Sequence, residues 1–176
     1  MGVMLDKKYC NLPIFHDLTD DQWDALAAIF ECRTYAPGVI IFDQGERAGH
    51  LYFLLEGEAL IRYKPYDGPP LTVAHIAPGG VFGWSTALGR DCHTSAAQAV
   101  DECTMVRLSR QTMAGLNQRS PVAGEILLER LAGAIVPQTS SNGHNYPNFD
   151  HQMQGHVVTS LQKLFAEEQD VPTISK

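Results

Sequence analysis

The sequence lacks the positive charge and the long apolar runs that would point to nucleic acid or to a membrane. Its 176 residues contain 13 Lys and Arg against 20 Asp and Glu, a formal net charge of −7, and they form no basic cluster. Because general affinity for a phosphate backbone requires clustered cations, direct DNA binding is not expected. The N-terminal stretch MGVMLDKKYC has no hydrophobic signal-peptide region. We therefore predict a cytoplasmic protein without a membrane span.

Spacings typical of metal and disulfide sites are also missing. The cysteines show no CxxC pattern, so we predict that they are reduced and mostly buried as small apolar groups: Cys10, Cys32, Cys92 and Cys103. His151 and His156 lie five residues apart, a spacing that does not place two metal ligands on one helix face. No metal site is expected.

Catalytic arrangements are equally weak. Ser85 lies in GWSTA, which lacks the second glycine of a nucleophile elbow. Cys92 and His93 are neighbours in the sequence, but adjacency alone does not form a catalytic pair. Glu56 and Glu58 flank a glycine and are typical of turn and surface carboxylates rather than of an acid–base pair. The sequence therefore predicts a protein that is not an enzyme.

What is present is the composition of one folded domain, with 44% hydrophobic and 19% charged residues. A helix is predicted over Leu18–Phe30, because Thr19 and Gln22 have the capping-box spacing. Apolar residues then follow on one face of this helix: Trp23, Leu26 and Phe30. After it, short β-branched and aromatic runs alternate with Gly, Pro and Asp as far as Gly83, and a last strand region covers Thr94–Leu108. This pattern predicts many short antiparallel strands in a sandwich, roll or barrel.

Helices are predicted again after the strands. Ser109 caps a short helix, and Ser120 caps a longer one over Pro121–Val136, where proline occupies the first position. An apolar stripe runs along the longer helix: Val122, Ile126, Leu127, Leu131 and Ile135. A weaker amphipathic helix is predicted over about Asp150–Gln169. The predicted division is a domain over 1–136, a polar linker over 137–149 and a C-terminal helical extension over 150–176.

These elements and several motifs together resemble the cyclic nucleotide-binding domain family, including Crp/Fnr-type effector domains. The stretch YAPGVIIFDQGERAGHLYFLLEGEALI is similar to the first half of that family, and APGGVFGWSTAL followed by TSAAQAVDECTMVRLS is similar to its phosphate-binding cassette. The resemblance covers about Leu12 to Ile135. It implies a mainly β fold with flanking helices (α+β), an antiparallel β-roll or double-stranded β-helix of the jelly-roll type with about eight strands.

The resemblance also implies a candidate ligand site, the cassette. Its residues are Phe82, Gly83, Trp84, Ser85, Thr86, Ala87, Leu88, Arg90, His93, Thr94, Ser95 and Ala96. Nucleotide-binding members have a glutamate for the ribose at the position of Trp84 and an arginine for the cyclic phosphate at that of His93. Losing both contacts costs about 3–8 kcal/mol. Ordinary binding of cyclic AMP is therefore not expected, and no cofactor is certain.

Two readings of the cassette stay open. In the first, the pocket accepts a cyclic nucleotide or another small anionic ligand, with Trp84 stacking on a ring, Arg90 reaching inward and His93 protonated in mild acid. In the second, Trp84 fills the core, Arg90 is a solvated turn residue and His93 is a hydrogen-bonded structural residue.

The predicted function is that of a stand-alone sensory or regulatory domain. A small-molecule effector would act through the Pro121–Val136 helix, whose exposed apolar stripe favours a homodimer. The alternatives are a ligand-free module that binds a protein partner and a Crp/Fnr-like transcription regulator lacking its DNA-binding domain. A recognition helix is not expected after residue 136, because the basic residues there are Lys163 and Lys176.

Overall fold

The computed structural model describes residues 5–134 and 151–167, and the side chains of the second range from residue 158 onward. Eight strands form two four-stranded antiparallel sheets. The first sheet has the order β1 (Glu31–Tyr35), β8 (Cys103–Ser109), β3 (His50–Glu56) and β6 (Val81–Phe82). The second has the order β2 (Ile40–Phe42), β7 (Ala96–Ala99), β4 (Ala59–Tyr63) and β5 (Leu71–Ile76). The predicted fold class, a β-roll with flanking helices, is confirmed.

Strand β3 lies between two apolar cores, which explains why HLYFLLE is apolar without alternation. Leu51 and Phe53 contribute to a core shared with the helices, whereas Tyr52 and Leu54 contribute to a core between the two sheets. Both faces of this strand are therefore removed from water, as in strands that are covered on both sides.

Within the described residues, a 3-10 helix at Lys7–Tyr9 precedes six α-helices that flank the sheets: α1 (Asp20–Ala27), α2 (Trp84–Ala87), α3 (Arg110–Met113), α4 (Leu116–Arg119), α5 (Pro121–Ala134) and α6 (His151–Ala166). The capping box at Thr19 and Gln22 is present, with both reciprocal hydrogen bonds. Helix α1 ends before Phe30, which packs edge-on against Phe15 and Phe53 as the chain turns into β1.

Helix α1 is shorter than the predicted Leu18–Phe30, and two further boundaries differ from the sequence prediction. The strand region Thr94–Leu108 contains two strands, β7 and β8, which belong to different sheets, because the chain crosses between the sheets at residues 100–102. The short helix capped by Ser109 is followed by a second, since Gly115 adopts φ +70° and interrupts the helical path. Ser109 Oγ accepts a hydrogen bond from the Thr112 amide at 3.0 Å, so the predicted cap is confirmed.

The expected exposure of the apolar stripe on α5 is wrong for most of its length. Ile126, Leu127 and Leu131 are buried in the helix-facing core, where α5 contacts α1, α4 and α6. Val122 remains 47% exposed. A homodimer through this helix stays a prediction, but most of the apolar surface that favoured it is used inside the chain. Ile135 and the predicted linker, 137–149, lie outside the described residues.

The C-terminal helix α6 packs on the rest of the domain. It contacts α2, α4 and α5, and Leu161 and Phe165 are fully buried in the helix-facing core. The Gly115 amide also donates to Leu164 O at 3.0 Å. The helix predicted from the amphipathic pattern is therefore part of the same packed unit as the β-roll.

The cysteines depart from the prediction that most of them are buried. Cys103 is buried, Cys32 is half-buried, and Cys10 and Cys92 are exposed. Cys10 lies in a turn and Cys92 in an isolated β-bridge with Arg47, and neither position enters the core. Among the described helices, none is both long and apolar enough to cross a membrane.

Candidate functional site

The cassette begins where β6 ends and the chain turns into the short helix α2. Gly83 makes this turn with φ +84°, a left-handed conformation that glycine adopts at little cost. A Cβ at this position would lie 3.0 Å from His50 O and from the ring of Tyr52, so the site also requires a residue without a side chain. Phe82, just before the turn, stacks on Tyr52 with ring centroids 5.2 Å apart.

Hydroxyl groups of the cassette bond within the chain. Thr86 Oγ1 donates to His50 O at 2.8 Å, which ties α2 to strand β3. Ser85 Oγ accepts from the Thr94 amide at 3.4 Å and lies 3.5 Å from Thr94 Oγ1. Ser85 and Thr86 are buried, whereas Thr94 is exposed. The structure thus brings the two ends of the predicted cassette together and uses these hydroxyls to hold them.

His93 is buried and lies flat on Phe42. Its side chain is 4% exposed, and the two rings are 3.7 Å apart at an angle of 13°. Burial lowers the pKa of His93 to about 4; Glu46 opposes this shift, while Arg110 and His50 add to it. In the ligand-free domain the imidazole is therefore neutral at neutral pH.

Trp84 is half-buried and packs against the helix-facing core, together with Leu88. Leu161 and Phe165 of α6 belong to the same core. Arg90 is exposed, with its amide donating to Ser85 O at 3.0 Å. These placements agree with the core-filling interpretation of Trp84 and with a solvated turn at Arg90.

The remaining cassette residues fill the space around α2 and the start of β7. Ala87 is fully buried in the helix-facing core, and Ser95 and Ala96 are half-buried. Ligand binding by the twelve cassette residues stays a prediction.

Sequence reasoning missed Arg110, which links the cassette to the start of helix α3. Its Nη2 donates to Thr86 O at 3.3 Å and also to Arg90 O. Its Nε is buried without a hydrogen-bond partner. The sequence contained one indication of it, because a cation in the first turn of a helix is unfavourable next to the helix dipole. Phe42, the residue under His93, left no comparable signal in the sequence.

The described residues contain no group of three or more His, Cys, Asp or Glu side chains that could hold a metal ion. The side chains of His151 and His156 lie outside the described set.

The cassette geometry, a Phe-Gly turn into a short helix with a return strand beside it, agrees with the comparison to known proteins. Residues 32–120 match the family model described as the cyclic nucleotide-binding domain. The chain belongs to this family. The match begins in β1 and ends with the residue before α5, so it contains both sheets and the whole cassette.

The chain is similar in sequence to a cyclic AMP receptor protein and to a protein kinase regulatory subunit. The cyclic AMP receptor protein of Thermus thermophilus is 29% identical over 120 residues, which cover 68% of this chain and 56% of the relative. The cAMP-dependent protein kinase regulatory subunit of Mycosarcoma maydis is 27% identical over 150 residues, covering 84% of this chain and 28% of the relative. The chain thus spans about half or less of the length of these curated relatives.

A solved structure shows the same fold. The crystal structure of a cyclic nucleotide-binding domain from Methylobacillus flagellatus superimposes with a TM-score of 0.66 at 19% identity, covering 77% of this chain and 80% of that structure.

Proposed function

We propose that this chain is a regulatory domain whose cassette does not bind cyclic AMP in the ordinary way of its family. The observation that supports this most directly is the stack of His93 on Phe42. A buried anion is stabilised by charge-assisted hydrogen bonds, and a neutral imidazole held against a phenyl ring supplies no such charge. We further propose that the domain has no catalytic activity of its own.

Trp84 supports the same proposal from the other end of the cassette. The family's glutamate at this position would accept a hydrogen bond from a ribose hydroxyl, and indole cannot accept one. Because Trp84 packs against the helix-facing core, its ring is already in contact with protein. At both positions, therefore, the family's ligand contact is missing, and Trp84 and His93 make a contact inside the protein instead.

The test is a thermal unfolding series with cyclic AMP, cyclic GMP and guanosine at pH 7.5 and pH 5.5, with a known cyclic AMP-binding protein as positive control. A ligand at 100 times its dissociation constant adds about 2.7 kcal/mol, which shifts the midpoint by a few degrees. We expect no shift with cyclic AMP at either pH. A shift at micromolar cyclic AMP would refute the proposal, and a shift confined to pH 5.5 would show that His93 becomes charged in the bound state.

A second candidate function is a module that binds a protein partner and has no small-molecule ligand. It is favoured by the hydroxyls of Ser85 and Thr86, which are buried and engaged inside the chain. Here α5 and α6 would be fixed elements rather than moving ones. For this function we expect no shift of the unfolding midpoint in that series. We also expect none with a panel of other nucleotides and organic anions. A reproducible shift with any one of them would favour the sensory function.

A further inference from the structure

Of the seven large hydrophobic side chains that the described residues expose, three line one groove beside the second sheet. They are Ile40, Tyr63 and Tyr66; Val39 precedes Ile40 in the chain, Leu71 lies opposite Tyr63, and Val100 and Val122 do not line the groove. Tyr66 is fully exposed, and Tyr63 and Leu71 are direct cross-strand partners on β4 and β5. Isolated exposed apolar residues need no explanation, but a concentrated patch is typical of an interaction surface.

The groove is open and has a volume of about 690 Å³. Ile40, Tyr63 and Tyr66 line it, and the prolines at 65 and 70 shape the hairpin at one side. Among the described residues that line this groove, Ala96 alone belongs to the cassette. We call it the hairpin groove.

The walls of the hairpin groove are held together by side-chain hydrogen bonds. Gln44 Nε2 donates to Lys64 O at 3.0 Å, and the Lys64 amide donates back to Gln44 Oε1 at 2.8 Å. This reciprocal pair joins the turn after β2 to the β4–β5 hairpin. Arg62 Nη1 donates to Gln98 Oε1 at 3.0 Å, so the guanidinium is held over β7 by a neutral amide. A groove with tethered walls loses less conformational entropy when it binds a partner.

The charge of the hairpin groove is opposite to that of the whole chain. Arg62 and Lys64 line it together with one carboxylate, Asp43, although the net charge of the chain is −7. Neither cation forms a salt bridge with a carboxylate within the described part of the chain, whereas Lys7, Lys8, Arg33 and Arg107 each do. Exposed tyrosines beside arginine are typical of protein interfaces.

We infer that the hairpin groove is a docking site for an acidic, aromatic-containing segment of a protein partner, bound in an extended conformation. Its carboxylates would pair with Arg62 and Lys64, and its apolar side chains would cover Tyr63, Tyr66 and Ile40. Single-stranded nucleic acid would also stack on tyrosines, but two cations in a chain of charge −7 provide little of the electrostatic attraction that such binding needs. This inference does not depend on the cassette being empty.

The experiment is selection from a random twelve-residue peptide library on the whole chain, followed by affinity measurements with synthetic copies of the enriched peptides. We expect enrichment of sequences with net negative charge and at least one aromatic residue. Their affinity should fall about fivefold or more in Lys64→Gln and in Tyr66→Ala. Both side chains are exposed, so neither variant should disturb folding. Lys163→Gln and Val122→Ala, which change exposed residues outside the groove, are the matched controls and should leave the affinity unchanged.

Four outcomes would overturn the inference: no enrichment, enrichment of neutral or basic peptides, binding that is insensitive to Lys64→Gln and Tyr66→Ala, or self-association that Tyr66→Ala abolishes. A twelve-nucleotide thymidine strand is titrated in parallel. Binding of that strand with an affinity that falls in Lys64→Gln would assign the groove to nucleic acid instead. The cyclic AMP series is a separate measurement, so failure of one proposal does not decide the other.

Discussion

At the scale of single residues, two aromatic side chains of the cassette, His93 and Trp84, pack inside the domain. His93 has Phe42 under its ring, and Trp84 packs against the helix-facing core. In each case an aromatic ring gains more from contact with protein than from contact with water. Both side chains therefore contribute to the packing of the domain.

The first prediction concerns the pH dependence that His93 gives to stability. Its pKa of about 4 in the folded protein lies below its unfolded value of 6.5. As the pH falls below 6.5, the unfolded chain takes up a proton that the folded chain excludes, and stability is lost until the pH reaches about 4. Between pH 7.5 and pH 5 this loss is about 2 kcal/mol.

His93→Phe keeps a flat ring on Phe42 and removes the titration. Urea unfolding of this variant should show a smaller loss between the same two pH values. A residual loss is expected from His50, because burial, followed by the charge of Arg107, lowers the pKa of that residue also. An equal loss in the variant and in the natural protein would mean that His93 is not the group responsible.

The second prediction tests whether Trp84 is a packing residue. Trp84→Ala should lower the free energy of unfolding by about 2 kcal/mol, less than for a fully buried tryptophan because the side chain is half-buried. Trp84→Phe, the control, should lose less, since an aromatic ring remains. Urea denaturation measures both. A stable Trp84→Ala variant whose ligand profile changes would instead place the indole in a working pocket.

At the scale of elements, helix α6 is packed on the domain and is not an independent appendage. It packs across α2, α4 and α5, so the cassette helix lies between the β-roll and the C-terminal helix. Any movement of α2 would therefore change its contacts with α6. The buried residues of α5 lie in the same core, which makes α5 a packing element of the domain.

The third prediction is that α6 unfolds together with the β-roll. Leu161→Ala and Phe165→Ala should each lower the free energy of unfolding of the whole domain by about 3 kcal/mol, because both side chains are fully buried. Lys163→Ala, an exposed position on the same helix, should change it by only a few tenths. If the two core variants had the same unfolding midpoint as Lys163→Ala, α6 would detach before the β-roll unfolds.

At the scale of the whole molecule, hydrogen bonds between residues distant in sequence hold the N-terminal segment against helix α5. Arg130 of α5 donates from Nη1 to Pro13 O at 3.1 Å and from Nη2 to His16 O at 2.6 Å. Phe15 and Ile14 between these carbonyls are buried in the helix-facing core. One guanidinium thus fastens the N-terminal segment to a helix more than 110 residues later.

The fourth prediction follows from this clamp. Arg130→Met should lower the free energy of unfolding by about 1–3 kcal/mol, because two carbonyls lose charged donors. Hydrogen exchange should become faster at the Phe15 amide, while the amides of β3 and β8 keep their protection relative to global unfolding. Glu129→Gln, an exposed neighbour, is the control. Unchanged exchange at Phe15 in Arg130→Met would show that apolar packing alone holds the segment.

The sequence by itself determined the architecture of this protein. Strand runs, glycine corners, the capping box at Thr19 and Gln22 and the cap at Ser109 are local signals, and each depends on a few neighbouring residues. The family resemblance extended these signals to the β-roll and located the cassette. Amphipathic spacing was also sufficient to place α6 within two or three residues of its bounds.

Only the tertiary structure decided how those residues are used. The depressed pKa of His93 depends on burial against Phe42, about 50 positions earlier, and the burial of the α5 stripe depends on helices before and after it. The hairpin groove joins side chains from three strands, the turn after β2 and the β4–β5 hairpin loop, which no local pattern connects. Burial, pKa and surface charge arise from contacts between distant segments, whereas periodicity and capping report only on neighbours along the chain.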